Sequence, residues 1–387
     1  MTMVKLKANM GHLKSVFLFL ASITTSIVAM AAPLSLHDKI GQMLLIGFDG
    51  KHINAQSDIV KIIAKDNIGG VILFDYNAQT QVFDKNIESP AQVKQLNHDL
   101  QYFAQQANLK YHRPDLPLLI SVDYEGGKVT RLSEQYGFPP TLTPGEVGKQ
   151  GANAAEANAE LMAKTLTSSG FNLDFSPLLD VNINPDNPVI ARKDRSFASD
   201  PNTVIQDAEI YSQHFLNQKI QCAYKHFPGH GSSTADSHLG FVDVTDTWRM
   251  SELEPYRHLL GKKFSCGMIM SAHIVNRQLD SSGLPATLSH KILTDLLRHR
   301  LHFNGVVITD DMQMKAISDH YGLEQALVLA INAGADMLIF GNTLAAKQDP
   351  AQLIQIIEAK VRSGEIKQKR IDEAYQRIVA LKKSLAP

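Results

Sequence analysis

Eight short apolar runs, each followed by a longer amphipathic stretch, constrain this chain more than any other feature. They are Met43 to Phe48, Gly70 to Phe74, Leu118 to Asp123, Leu173 to Val181, Cys222 to Phe227, Gly267 to Ala272, Gly305 to Asp310 and Asp336 to Phe340. A run that is apolar throughout, instead of alternating with polar residues, suits a strand covered on both faces, as in a parallel sheet. Candidate helices fill the intervals: Pro90 to Ala107, Ala154 to Ser168, Thr203 to Gln218, Ser289 to His299 and Leu323 to Ala333. Two more, Gln352 to Arg362 and Arg370 to Lys383, carry apolar residues at helical spacing (Leu353, Ile356, Ile357; Ile371, Ala374, Ile378, Leu381) and belong on an outer surface. Eight β–α units predict an α/β protein, a closed (β/α)8 TIM-type barrel in a single domain. No repeat, low-complexity tract or linker between two cores interrupts the pattern.

The N-terminus stands apart. Lys5, Lys7 and Lys14 precede an apolar run, Val16 to Val28, that ends in Ala29-Met30-Ala31. A charged segment, an apolar segment and a small-x-small site together predict a secretory signal peptide over residues 1–31, cleaved after Ala31. The barrel then occupies 36–387, and the protein is expected to be exported, periplasmic or secreted, without stable membrane association. The run is short for a spanning helix. With 38 basic against 39 acidic side chains there is no charge excess of the kind that nucleic acid selects. Cys222 and Cys266 could pair in an exported protein, but both precede neighbouring parallel strands, where disulfide geometry is rare; two buried thiols are expected.

The segment KHFPGHGSSTADSHLG, residues 225–240, concentrates the chemistry. Its glycines and Pro228 suit irregular backbone. Asp236 and His238 are two apart, so in an extended segment their side chains share a face. A carboxylate beside an imidazole fixes its tautomer and raises its basicity. Other polar residues fall at the C-terminal ends of predicted strands: Asp123 on the third, Lys225 and His226 on the fifth, His273 on the sixth, Asp310 and Asp311 on the seventh. Barrel active sites are built at that end. Strand alternation sends Asp310 and Asp311 to opposite faces, and the alternation alone does not say which enters the barrel mouth.

The same segment resembles the signature of the bacterial β-N-acetylglucosaminidases of glycoside hydrolase family 3. LLISVDYEGGKVTRL (118–132), FNLDFSPLLDVN (171–182), Arg195-Ser196-Phe197, MSAHI (270–274) and FNGVVITDDM (303–312) resemble the family's other motifs, in order. The resemblance implies an exo-acting, retaining enzyme that removes terminal N-acetylglucosamine from peptidoglycan-derived or chitin-type saccharides. It implies Asp310 as nucleophile and His238, polarised by Asp236, as acid/base, an unusual choice since most glycosidases use a second carboxylic acid. Asp123, Arg131, Arg195, Lys225 and His226 would then bind the sugar. Asp311 and His273 are read as structural, Glu125 as shaping a turn and His230 as a loop element. No metal or cofactor is implied, because the His and Asp spacing fits no metal signature and Lys225 would sit badly beside a cation. Phosphorolysis, a broader β-glycosidase and a non-catalytic sugar-binding barrel are the competing readings. The spacer Ser232 to Ala235 lacks the acidic residue of many relatives, and ITDDM replaces a commoner Ser-Asp-Asp. Several relatives carry a second domain; here all catalytic groups are expected from one.

Overall fold

A computed structural model describes Met1, Thr2, residues 34–78 and residues 80–385. The expected signal segment, but for Met1 and Thr2, and its cleavage site lie outside the described residues. Ten strands follow in chain order: β1 (Leu44–Gly47), β2 (Gly70–Ile72), β3 (Leu119–Val122), β4 (Tyr124–Gly126), β5 (Val129–Thr130), β6 (Leu173–Asp174), β7 (Gln221–Phe227), β8 (Met268–Ser271), β9 (Val306–Asp311) and β10 (Met337–Phe340). Eight of them close a parallel barrel in the order β1-β10-β9-β8-β7-β6-β3-β2, while β4 and β5 form a separate antiparallel hairpin. The expected (β/α)8 barrel is therefore observed, in one compact unit from Leu34 onward. Leu45 pairs with Gly70 and Leu44 with Leu338, which seals the first strand between the second and the last.

The strands close because their side chains leave water on both faces. Every residue of β1, β2, β3, β6, β7, β8 and β10 is buried. The helices begin where local chemistry dictates: Ser89-Pro90, Asp200-Pro201 and Asp349-Pro350 each place a capping side chain before a proline in the first turn. Among the described residues, no helix is long and apolar enough to cross a membrane.

Two expectations need correction. The run Leu173 to Val181 is a strand only over its first two residues. Beyond them the chain leaves the ladder, returning for one bridge, Leu178 to Lys225, and Asp180 turns to the backbone N–H groups of His226 and His230. The cysteines are not free thiols: Cys222 and Cys266 form a disulfide with their Cα atoms 4.9 Å apart. The objection from parallel-strand geometry fails because Cys266 lies before β8 begins, where its backbone is no longer held in the ladder.

Candidate active site

The C-terminal end of the barrel opens into a cavity of about 320 Å³. Its lining includes Asp123, Arg131, Arg195, Lys225, His226, His238 and Asp310, residues spread over nearly two hundred positions of sequence. A second cavity, about 400 Å³, lies at the opposite end, beside Gln221, Gly267 and Val306, and holds none of these groups.

Asp310 ends β9 beside Asp311, and the two carboxylates meet different fates. Asp311 also borders the cavity, but its oxygens are occupied, accepting from the backbone N–H of Gln313 at 3.0 Å and of Gly341 at 3.3 Å. Burial, together with the charge of Asp310, pushes its carboxyl up. Asp310 accepts the N–H of Asp311 at 2.8 Å and otherwise faces the cavity. Burial disfavours its charge too, but the imidazoles of His273, His226 and His238 outweigh that and bring it down to about 2. An anionic carboxylate thus stands ready beside a neutral-leaning partner. His273 keeps this corner rigid: Nδ1 meets Thr287 Oγ1 at 2.8 Å and Nε2 the carbonyl of Asp311 at 3.0 Å.

The opposite wall is a buried ion network centred on Glu125, in β4. Glu125 accepts from Arg195 Nε and Nη2, both at 2.7 Å, and lies 2.6 Å from Lys225 Nζ. Burial favours its neutral form, yet Arg195 and Lys225 hold the carboxylate well below the usual range. Lys225 also donates to Asp123 at 2.9 Å, and Arg131 reaches Asp123 and Asp75 at 4.0 and 3.9 Å. One side of each cation is thereby occupied, which fixes where the remaining N–H groups point. Glu125 does more than shape a turn. It is the shared counter-ion that positions two sugar-binding candidates, and only the long-range contact reveals it.

Asp180 plays the matching part for the loop after β7. Its carboxylate accepts from the backbone N–H of His226 at 3.2 Å and of His230 at 2.8 Å, and lies 2.6 Å from His226 Nδ1. An ionised acceptor at Nδ1 makes that nitrogen the donor and leaves Nε2 of His226 for the cavity. Sequence reasoning passed over Asp180; an aspartate inside an otherwise apolar run was the available signal.

The loop itself has a fixed root and an exposed tip. Gly231 presses against the chain so closely that a Cβ there would lie 1.7 Å from the carbonyl of Val181, and Gly229 adopts φ +116°. Glu252 accepts the N–H groups of Gly231 and Ser232 at 2.9 and 3.2 Å, while Trp248 donates to Pro228 at 3.2 Å. His230, pushed down to about 4 by burial and by His226, stays neutral and links Ser233 Oγ at 2.7 Å with Ser237 Oγ at 3.3 Å. Beyond this root the chain emerges. Asp236 Oδ1 accepts from the backbone N–H of His238 at 2.9 Å and from its Nδ1 at 2.8 Å. Burial raises the Asp236 carboxyl, but the hydrogen bonds and charge of His238, and last Lys193, bring it down to about 2. The His238 side chain is 44% exposed, so its second nitrogen is open to the cavity. The N–H of Ala316 holds the tip by donating to the carbonyl of Ser237 at 3.3 Å, tying it to the segment after β9.

Every residue proposed from sequence for catalysis or sugar binding lies on this cavity, except Asp236, which stands behind His238. An ionised carboxylate at the floor, a histidine–carboxylate pair at the rim and a wall of charge-assisted donors meet in one cavity. Comparison gives the family: residues 35–381 match the glycosyl hydrolase family 3 N-terminal domain, and the chain belongs to that family. It is 33% identical to Beta-hexosaminidase A of Pseudoalteromonas piscicida over 94% of this chain and 64% of that protein. To a Beta-hexosaminidase of Idiomarina loihiensis it is 31% identical, over 83% of this chain and 88% of the relative. In three dimensions it resembles a glycoside hydrolase family 3 β-N-acetylglucosaminidase of a Paenibacillus strain, with TM-score 0.79 and 33% identity over 91% of this chain and 63% of the other. The chain thus spans just under two thirds of two of these three relatives.

Proposed function

We propose that the protein is an exo-acting, retaining β-N-acetylglucosaminidase that removes terminal N-acetylglucosamine from larger saccharides. The observation carrying this reading is the placement of Asp310, held ionised at the floor of a cavity whose volume suits one sugar unit. Asp310 attacks the anomeric carbon and forms a glycosyl ester. His238, oriented by Asp236, donates a proton to the departing oxygen and later takes one from the incoming water. Asp123, Arg131, Arg195, Lys225 and His226 hold the ring hydroxyls, with orientation set by Glu125 and Asp180. Substrate fills the space between a rigid floor and an exposed loop tip, so closure of residues 234–241 over the bound sugar completes the acid/base geometry. The names of the relatives, β-hexosaminidase and β-N-acetylglucosaminidase, support the acetamido sugar over glucose. We also propose that the protein works outside the cytoplasm. The signal-like N-terminus and the Cys222–Cys266 disulfide support this, because disulfides persist in oxidising compartments.

The test is release of p-nitrophenol from its β-N-acetylglucosaminide and from its β-glucoside, with and without phosphate. Turnover of the acetamido sugar alone, indifferent to phosphate, is the expected result. Dependence on phosphate would make the enzyme a phosphorylase, equal turnover a broad glycosidase, and none at all a sugar-binding barrel.

A further inference from the structure

The root of the loop that carries Asp236 and His238 is held from outside the cavity by one buried carboxylate. Glu252 lies in the short helix Met250–Leu253, within the connection from β7 to β8, and is fully buried. Its Oε2 accepts the N–H groups of Gly231 and Ser232 at 2.9 and 3.2 Å, and its Oε1 that of Arg249 at 3.3 Å. Burial, with the charge of Asp180 adding to it, pushes the carboxyl up to about 7 against the pull of Ser232 and Arg249. Charged or neutral, the group keeps an accepting oxygen for the two loop N–H groups. The fit is close: Gly229 adopts φ +116°, and a Cβ there would lie 2.6 Å from Cβ of Glu252.

Ser232, at this root, precedes Asp236 by four residues and His238 by six. Between root and tip the ties are longer, His230 Nε2 to Ser237 Oγ and Ala316 N–H to the Ser237 carbonyl, both at 3.3 Å. The place of the imidazole therefore depends on where the root is fixed. A buried N–H deprived of its acceptor is costly enough to move the backbone that carries it. In proton transfer a shift of about 1 Å can lose about 10²-fold in rate.

We propose that Glu252 is a positioning residue for the acid/base: by fixing the N–H groups of Gly231 and Ser232 it sets where the Asp236–His238 pair meets the departing oxygen, without itself touching substrate. This rests on the hydrolase reading and adds to it a residue outside the cavity.

The experiment compares an N-acetylglucosamine disaccharide, whose leaving group is an alcohol, with p-nitrophenyl N-acetylglucosaminide, whose leaving group needs little protonation. E252A is expected to lower kcat on the disaccharide by about 10²-fold with KM little changed, and to slow the p-nitrophenyl substrate far less. Introduced into H238A, E252A costs little more on the disaccharide, because the group it would position is gone. E252Q keeps an oxygen for the loop and recovers most of the rate. Should E252A not fold, E252D carries the test: it withdraws the carboxylate by one methylene and is expected to show the same selective loss. Equal losses on the two substrates, a full further loss in the H238A background, or an E252Q enzyme as impaired as E252A overturns the proposal. Failure of the hydrolase reading is separable, because in that case the wild-type protein does not cleave the p-nitrophenyl substrate.

Discussion

His238 and Glu125 show how differently two residues of one site can act. His238 protonates a leaving group, so its importance depends on how much help that group needs. His238→Ala is expected to slow saccharides with alcohol leaving groups by about 10²- to 10⁴-fold, the range general acid catalysis supplies, and p-nitrophenyl substrates far less. Equal losses on both, measured as kcat/KM, would remove the acid role. Glu125 touches no reacting atom. Its removal leaves Arg195 and Lys225 buried without their shared counter-ion, a change that costs about 3–5 kcal/mol when a buried pair is broken. Glu125→Ala should therefore lose both folding stability and substrate binding, seen as a lower Tm and a higher KM. Glu125→Gln, which keeps the hydrogen-bonding shape but not the charge, should recover part of the Tm. A normal Tm in the alanine variant would show that the ion network is not what holds this wall.

The elements of the barrel were legible in the sequence because its strands are mostly apolar and three of its helices start at a capping residue before proline. Where the reading failed, the cause was contact between distant residues. The run Leu173 to Val181 looks like one strand by composition, yet Asp180 is drawn out of the ladder by His226 and His230, about fifty residues away. Glu125 looked like a turn residue because Arg195 and Lys225, its partners, lie 70 and 100 positions on. Asp236 and His238 could be paired because they lie two apart in a loop, and strand alternation sends Asp310 and Asp311 to opposite faces; which of those two enters the mouth came only from the family resemblance. The disulfide was misjudged for a similar reason, since pairing depends on where β8 starts and not on the two cysteines' own surroundings. It encloses a loop of 44 residues that includes the whole β7–β8 connection. In the chain-entropy view, closing a loop of that length contributes about 4 kcal/mol. Cys222→Ser with Cys266→Ser should lower the unfolding free energy by that order, and chemical reduction should do the same to the native protein. Identical denaturation curves with and without reductant would mean that the bond contributes nothing to stability.

At the scale of the whole molecule the two ends of the barrel divide the labour. The C-terminal end carries charge arranged for a ligand; the N-terminal end is stopped by the last helix, Gln368–Lys383. Lys382 is buried there with Gln42 Oε1 as its hydrogen-bond acceptor at 2.7 Å, and burial pushes its ammonium down to about 7. The unfolded chain holds that proton up to about pH 10.5, the folded chain only to about 7. Between those values the unfolded state binds more protons, so stability rises with pH and the contribution levels off below 7. A Tm profile from pH 7 to 10 should show this rise in the native protein and lose it in Lys382→Met. An unchanged slope in the variant would place its source elsewhere.

The central claim is that Asp310 forms the bond to the sugar. A slow-reacting fluorinated N-acetylglucosaminyl donor, which accumulates the glycosyl-enzyme, tests it directly through the mass of the intact protein and of its proteolytic peptides. The account predicts one added sugar per chain, carried by the peptide containing Asp310 and absent in Asp310→Ala. Turnover without an adduct, or an adduct on Asp311 or any other residue, would contradict it.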